Sequence, residues 1–252
     1  MPVDWLVIAA LVPVVLFSGL VHGALGLGFP MVATPIIAIF LDVKLAILLT
    51  LLPTAVVNIA SIYSNDSLTA TLKKYLLLAL ACLVGALVGA WVLSVSEASS
   101  YRLLLALLIL LFLWIGKFGL LPRAWCLANP LTALILVGLI GGFSAGTTNV
   151  MVAVLLIYFL SIDAARSEMV SAMNLCFLLG KLAQIVVFYS AGLVSVAFIA
   201  ATIPLGICAF GALKYGQHIG QQIPQERYRQ MLHYLLAALA AILILQFLRD
   251  VM

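Results

Sequence analysis

The stretch YLLLALACLVGALVGAWVL, residues 75–93, runs for nineteen residues without a charged side chain. As a helix it would be about 28 Å long, close to the ~30 Å hydrocarbon core of a bilayer. Apolar segments at 45–63, 101–121, 169–190, 193–215 and 230–248 reach similar length. A soluble domain built from so many apolar helices needs a polar shell, and this chain does not carry one. Only 8% of its 252 residues are charged and 66% are hydrophobic, against roughly 25% charged in a soluble domain. The expected class is an all-α polytopic membrane protein, with lipid as its outer solvent.

Four further apolar segments are shorter. Segment 5–21 barely spans a bilayer, and 31–41, 131–143 and 150–160 do not. The short ones flank two glycine-rich breaks, GLVHGALGLGFP at 19–30 and GLIGGFSAGTTN at 138–149. The breaks suggest a duplication. SGLVHG at 18–23 matches VGLIGG at 137–142, and FLDVKLA at 40–46 matches FLSIDAA at 159–165, both at an offset of 119. GAL at 85–87 matches GAL at 211–213 at 126, and Tyr101-Arg102 matches Tyr228-Arg229 at 127. Two repeats follow, 1–126 and 127–252, forming one transport domain. Each is a broken or re-entrant segment plus three transmembrane helices.

Loop charge sets the expected orientation. The 64–74 loop carries Lys73 and Lys74, while its counterpart at 190–194 has no base. The 94–102 loop carries Arg102 against Glu97, while its counterpart at 214–229 carries Lys214, Arg227 and Arg229. Because basic short loops stay cytoplasmic, opposite bias in equivalent loops predicts inverted topology. One side then collects Lys73, Lys74, Lys117, Arg123, Arg166, Lys214, Arg227 and Arg229, and the other Lys44, Arg102 and Arg249. Trp5, Trp91, Trp114 and Trp125 fall near segment ends, as interfacial anchors should. The N-terminal run has no basic region ahead of it, so it is expected to stay as a membrane segment and not as a cleaved signal peptide. The expected location is the cell inner membrane.

Several function classes drop out. A net charge of +4, scattered along the chain, is no nucleic-acid footprint. Cys82, Cys126, Cys176 and Cys208 are isolated, with no CxxC and no His/Cys cluster at ligand spacing, so no metal or cofactor is expected and the thiols read as small core residues. GALGLG follows no strand and is not a nucleotide fingerprint. The absence of a nucleophile–base pair argues against an enzyme, and the scarcity of carboxylates at membrane depth argues against a cation carrier. A non-transporting membrane subunit and an enzyme acting on a lipid-soluble substrate are the rival classes.

Paired interrupted segments in two repeats point to a transporter binding site, where half-helix N-termini suit an anion. The residues considered to meet it are Gly26, Gly28 and Thr34 in the first half and Thr147, Thr148 and Asn149 in the second. The competing reading is close helix packing, since Gly19 and Gly23 form GxxxG. Ionisable residues at membrane depth are candidates by default. Lys181 lies well inside 169–190, with Asn174 seven residues before it and Gln184 three after, on one helix face. It reads either as a cation offered to an anion or as a snorkelling lysine. His22 reads as an anion ligand, a proton-coupling group or a ring packed against a carbonyl. Asn58, with Thr54 and Ser61 on its face and Pro53 nearby, reads as cavity-lining or as an interhelical hydrogen bond. Asp163, Arg166 and Glu168 in SIDAARSE read as a solvated cap or a gate.

The run GLVHGALGLGFPMVATPIIAIF, the helix with Pro53 and Asn58, and the second copy GLIGGFSAGTTNVMVAVLLIYF together resemble the TauE/SafE family of membrane permeases, over nearly the whole chain. This copy departs from the commoner glycine run by carrying Leu27, Phe29 and Pro30. The resemblance implies a secondary transporter, more often an exporter, of a small sulfur-containing anion such as sulfite, sulfoacetate or another organosulfonate, with a proton as the coupling ion considered. The alternative is a carrier or channel for another small anion or metabolite, including an importer of the same class.

Overall fold

The structure is a computed structural model that describes residues 5–63, 68–96, 100–118, 123–220 and 225–251. Glu97 lies outside the described residues, as do the side chains of Lys117, Arg227 and Arg229. Among the described residues the regular structure is entirely helical. The first half holds α1 (Trp5–Leu25), α2 (Phe29–Phe40), α3 (Val43–Leu49), α4 (Leu51–Tyr63), α5 (Leu68–Val95) and α6 (Ser100–Phe118). A short α7 (Arg123–Ala128) leads into α8 (Pro130–Thr148), α9 (Val152–Ser161), α10 (Arg166–Ser190), α11 (Val196–Ala201), α12 (Ile203–Gly220) and α13 (Gln225–Val251). Trp5–Leu25, Thr71–Val95, Pro130–Thr148 and Arg166–Ser190 are each long and apolar enough to cross a membrane, and α3 with α4, bent by 48°, forms either a broken span or a re-entrant loop. The chain is an all-α, multi-pass membrane protein. Large apolar side chains such as Val84, Val88, Trp91, Leu107, Leu110 and Ile207 remain exposed, as a lipid-facing surface requires.

Three segments differ from their sequence reading. The 131–143 run, too short on its own to span, belongs to α8, nineteen residues long. Its glycines do not break it, because they sit against α5: a β-carbon at Gly146 would stand 2.6 Å from the Ala86 carbonyl oxygen. The 45–63 segment is bent at Thr50. Pro53 lacks an N–H and its ring crowds the carbonyl of Leu49, and the Thr50 hydroxyl donates to the Ala46 and Ile47 carbonyls at 2.9 and 3.0 Å. The 193–215 segment is divided at Thr202, two residues before Pro204, into α11 and α12.

The first glycine-rich stretch does two different jobs. Gly19 lies against Ala209 and Ala212 of α12, and Gly23 against Leu213 and Gly216. The packing reading therefore holds for these two. Gly26 and Gly28, at φ 82° and 107°, make the turn between α1 and α2, a conformation that costs other residues about 1–2 kcal/mol.

Residue-level contacts fix helix direction. α1 and α12 run the same way, by the pairs just given. Gly206 faces Leu52 and Val56 while Ser61 reaches His22, so α4 runs with them. α5 and α8 also run together, since Gly138 meets Leu78 and Ala81, and Gly146 meets Ala86. α10 joins that set, because Glu168 pairs with Lys74 at 2.5 Å and Gly180 lies by Ala86. The two sets cross in opposite senses: Thr50, at the start of α4, is joined through Asn149 to Lys181, whereas Ser61, near its end, lies by the first break, which Asn174 holds. Packing is also exchanged between halves: α1 lies on α12 and α8 on α5, while α2 meets α13 and α9 meets α6.

Candidate functional site

The first break is closed by side chains from three helices. Gly26 N–H donates to His22 O at 2.7 Å and ends α1. Pro30 sits in the first turn of α2, where its missing N–H costs nothing. His22 bridges the turn. Its Nδ1 accepts from the Phe29 N–H at 3.2 Å, so the ring proton lies on Nε2, which meets Ser61 Oγ at 3.0 Å. Asn174 donates from Nδ2 to the Gly26 and Val170 carbonyls, both at 2.8 Å.

Around this break several buried polar atoms lack a hydrogen-bond partner among the described residues. They are the Asn174 carbonyl oxygen, the Thr54 hydroxyl and both polar atoms of the Asn58 amide. Asn58 is 0% exposed and shares a helix face with Thr54 and with Ser61, which touches His22. Each such atom costs about 1–3 kcal/mol if nothing binds it. Gly28 is buried as well, yet a β-carbon there would meet no heavy atom within 4 Å. The first break thus borders open space at Gly28, and the helices that close it carry unused donors and acceptors.

The second break is organised by Asn149, in the left-handed conformation at φ 65°. Asparagine tolerates this region better than most residues. Its Nδ2 donates to Thr34 Oγ1 at 3.0 Å and Thr50 Oγ1 at 3.1 Å. Its Oδ1 accepts from Lys181 Nζ at 2.5 Å and Gln184 Nε2 at 3.1 Å. Lys181 also donates to Gln184 Oε1 at 2.5 Å, and Gln184 Nε2 reaches the Ala145 carbonyl at 2.8 Å. Thr34 of α2 and Lys181 of α10 therefore converge on one side chain.

Lys181 is 4% exposed, and no carboxylate appears among the described buried polar residues. Taking an ammonium out of water costs several kcal/mol unless its charge is compensated. Two amide oxygens supply dipoles and no charge. The arrangement is a lysine amine buried among neutral groups at a helix break.

The structure brings together Lys181, Gln184, Asn149 and Thr34, and separately Asn174, Gly26, Gly28 and His22, with Asn58 beside the latter group. It corrects the reading of Thr147 and Thr148. Both lie in the last turn of α8 and not after the break, so they sit at the negative end of that helix dipole. Their hydroxyls donate back to the Phe143 and Ser144 carbonyls at 2.9 and 2.8 Å. Thr50 was not foreseen. Its signal was Pro53, which bends the helix there and aims the Thr50 hydroxyl at Asn149. Of the cysteines, Cys82 and Cys176 are neighbours across α5 and α10, buried and unbridged. Among the described residues no His, Cys, Asp and Glu cluster is placed to hold a metal ion.

Fold and site together describe a multi-pass membrane protein with two helix breaks and a buried lysine at the second. The family model for the sulfite exporter TauE/SafE matches residues 11–243, and the chain belongs to that family, one of membrane transport of sulfite and organosulfonates. No curated protein and no solved structure matches the chain.

Proposed function

We propose that this protein is a secondary carrier that exports a small sulfur oxyanion, sulfite or an organosulfonate, across a cell inner membrane. The anion binds at mid-depth between the two breaks. The observation that carries this reading is Lys181, a buried ammonium whose near neighbours are the neutral Asn149 and Gln184 side chains. An oxyanion is the missing charge, and charge-assisted hydrogen bonds to it are the strong ones. Asn149, Gln184 and Thr34 direct it, and the first break, with Gly26, Gly28, Asn58 and Asn174, forms the opposite wall.

Two inverted repeats provide the machinery. The exchanged packing supports this: α1, α4 and α12 run against α8, α10 and α5, their counterparts in the other half. Contacts also support a register for the repeat. Ser61 meets His22 as Gln184 meets Ala145, and Gly26 turns as Asn149 turns, each second-half residue lying 123 positions on. The offset of 119 seen in the glycine motif is one helical turn short, because Gly138, Gly142 and Gly146 repeat every four residues and a one-turn slip leaves the pattern intact. Rocking one half against the other would open the site to each side in turn.

The test is sulfite counterflow in proteoliposomes, with methanesulfonate and acetate as competitors. Saturable counterflow inhibited by the sulfonate and not by acetate supports the reading. No saturable flux of any of them refutes it.

A further inference from the structure

In the proposed repeat register Asn58 stands where the other half carries Lys181. Both stand on the third membrane segment of their half, 123 positions apart, in the register set by the Ser61–His22 and Gln184–Ala145 contacts. One position is a cation and the other an amide. Asn58 is buried, with neither amide atom partnered among the described residues, and Thr54 Oγ1 and Asn174 Oδ1 are in the same condition. An unused amide can donate and accept, but it cannot balance charge. Of the described side chains buried in the protein, Lys181 and His22 are the basic ones, and His22 has both ring nitrogens engaged in closing the first break.

We infer that the site takes one negative charge at a time: it accepts monoanions, with the charged head at Lys181 and an uncharged group toward Asn58, and it discriminates against dianions. The inference rests on the carrier reading above and narrows its substrate class to hydrogensulfite and monosulfonates, excluding dianions such as fully deprotonated sulfite and sulfoacetate. A dianion brings a second charge that no buried cation meets, and uncompensated charge at low dielectric is strongly disfavoured. The uncharged end of a monoanion instead meets groups able to hydrogen-bond it or to accommodate it beside Gly28, where a β-carbon would touch nothing within 4 Å.

The experiment compares equilibrium binding to the purified full chain at fixed pH and ionic strength. Methanesulfonate is set against sulfate, and ethanesulfonate against ethane-1,2-disulfonate, at a pH low enough that the sulfite reference is present as hydrogensulfite. Each monoanion is expected to bind at least tenfold more tightly than its dianionic partner. Asn58→Lys should reverse the order by adding the second cation, raising sulfate affinity relative to methanesulfonate by at least tenfold. The inference is overturned if the wild-type protein binds the dianions as tightly as the monoanions, whether or not the variant folds. It is also overturned if a folded Asn58→Lys protein keeps the wild-type ratio. If neither sulfite nor any of the four probes binds, the carrier reading itself fails and takes the charge rule with it.

Discussion

Asn149 Oδ1 stands 2.5 Å from Lys181 Nζ while Asn149 Nδ2 reaches Thr34 and Thr50 across the molecule. One amide thus joins the buried lysine of the second half to the short helix and the bend of the first. An asparagine suits all of this: it accepts from the ammonium, donates twice and tolerates a positive φ. Any movement of one half against the other has to be carried through, or break, these bonds.

Asn149→Asp keeps the shape and reverses the chemistry. The carboxylate gives Lys181 an internal counterion and removes the donor to Thr34 and Thr50. The expected result is a protein that reconstitutes normally but binds sulfite at least tenfold more weakly, since a lost charge-assisted hydrogen bond is worth about 1.5–3 kcal/mol and each 1.4 kcal/mol is tenfold. Equilibrium binding to the purified variant checks this.

Asn174→Ala leaves the Gly26 carbonyl without its amide partner at a turn that the fold depends on. Stability should fall by about 1–3 kcal/mol, seen as a lower melting temperature in detergent. Asn174→Asp should not rescue it, because a carboxylate cannot donate to that carbonyl.

Glycine substitutions should rank by what a β-carbon meets. Gly146→Ala collides with backbone on α5, 2.6 Å from both the Ala86 oxygen and the Ala90 nitrogen. Gly28→Ala meets open space but is strained at φ 107°, by about 1–2 kcal/mol. Gly211→Ala is neither strained nor crowded and gains about 1 kcal/mol of helix propensity. Thermal denaturation should order the stabilities Gly211→Ala, Gly28→Ala, Gly146→Ala from highest to lowest. Gly28→Ala should in addition impair sulfite binding if the anion approaches this backbone.

Single cysteines in a cysteine-free background test the inverted topology. Lys74 pairs with Glu168, and Arg166 reaches the Leu25 carbonyl at 3.5 Å, so labels at Lys73, Arg166 and Lys214 should react from one side of the membrane. Lys44 donates to the Ser94 and Ser96 carbonyls at the other end of α5, and a label there should react from the opposite side. Sidedness measured with a membrane-impermeant maleimide decides it.

The polar members of the site were legible because polar residues in apolar runs are conspicuous. Lys181, Gln184 and Asn174 announced themselves by helical spacing, and Asn149 by its place at the end of a glycine-rich stretch. Three features were not legible. Thr50 is an ordinary threonine until Pro53 bends the chain beside it. Thr147 and Thr148 look like free donors, but a hydroxyl in the last turn of a helix can satisfy itself on the carbonyl four residues back. The point at which α8 ends depends on Asn149 adopting a positive φ, and the glycines before it, which looked like the break, are helical because α5 needs their surface.

If Lys181 supplies the charge that binds the anion, Lys181→Gln should abolish that contribution, because glutamine keeps much of the length and polarity and removes only the charge. Sulfite counterflow should be measured in proteoliposomes, with folding and insertion checked on the same preparation. Apparent affinity should fall by about tenfold to a hundredfold or more. A folded, inserted Lys181→Gln protein with wild-type affinity and rate would contradict it.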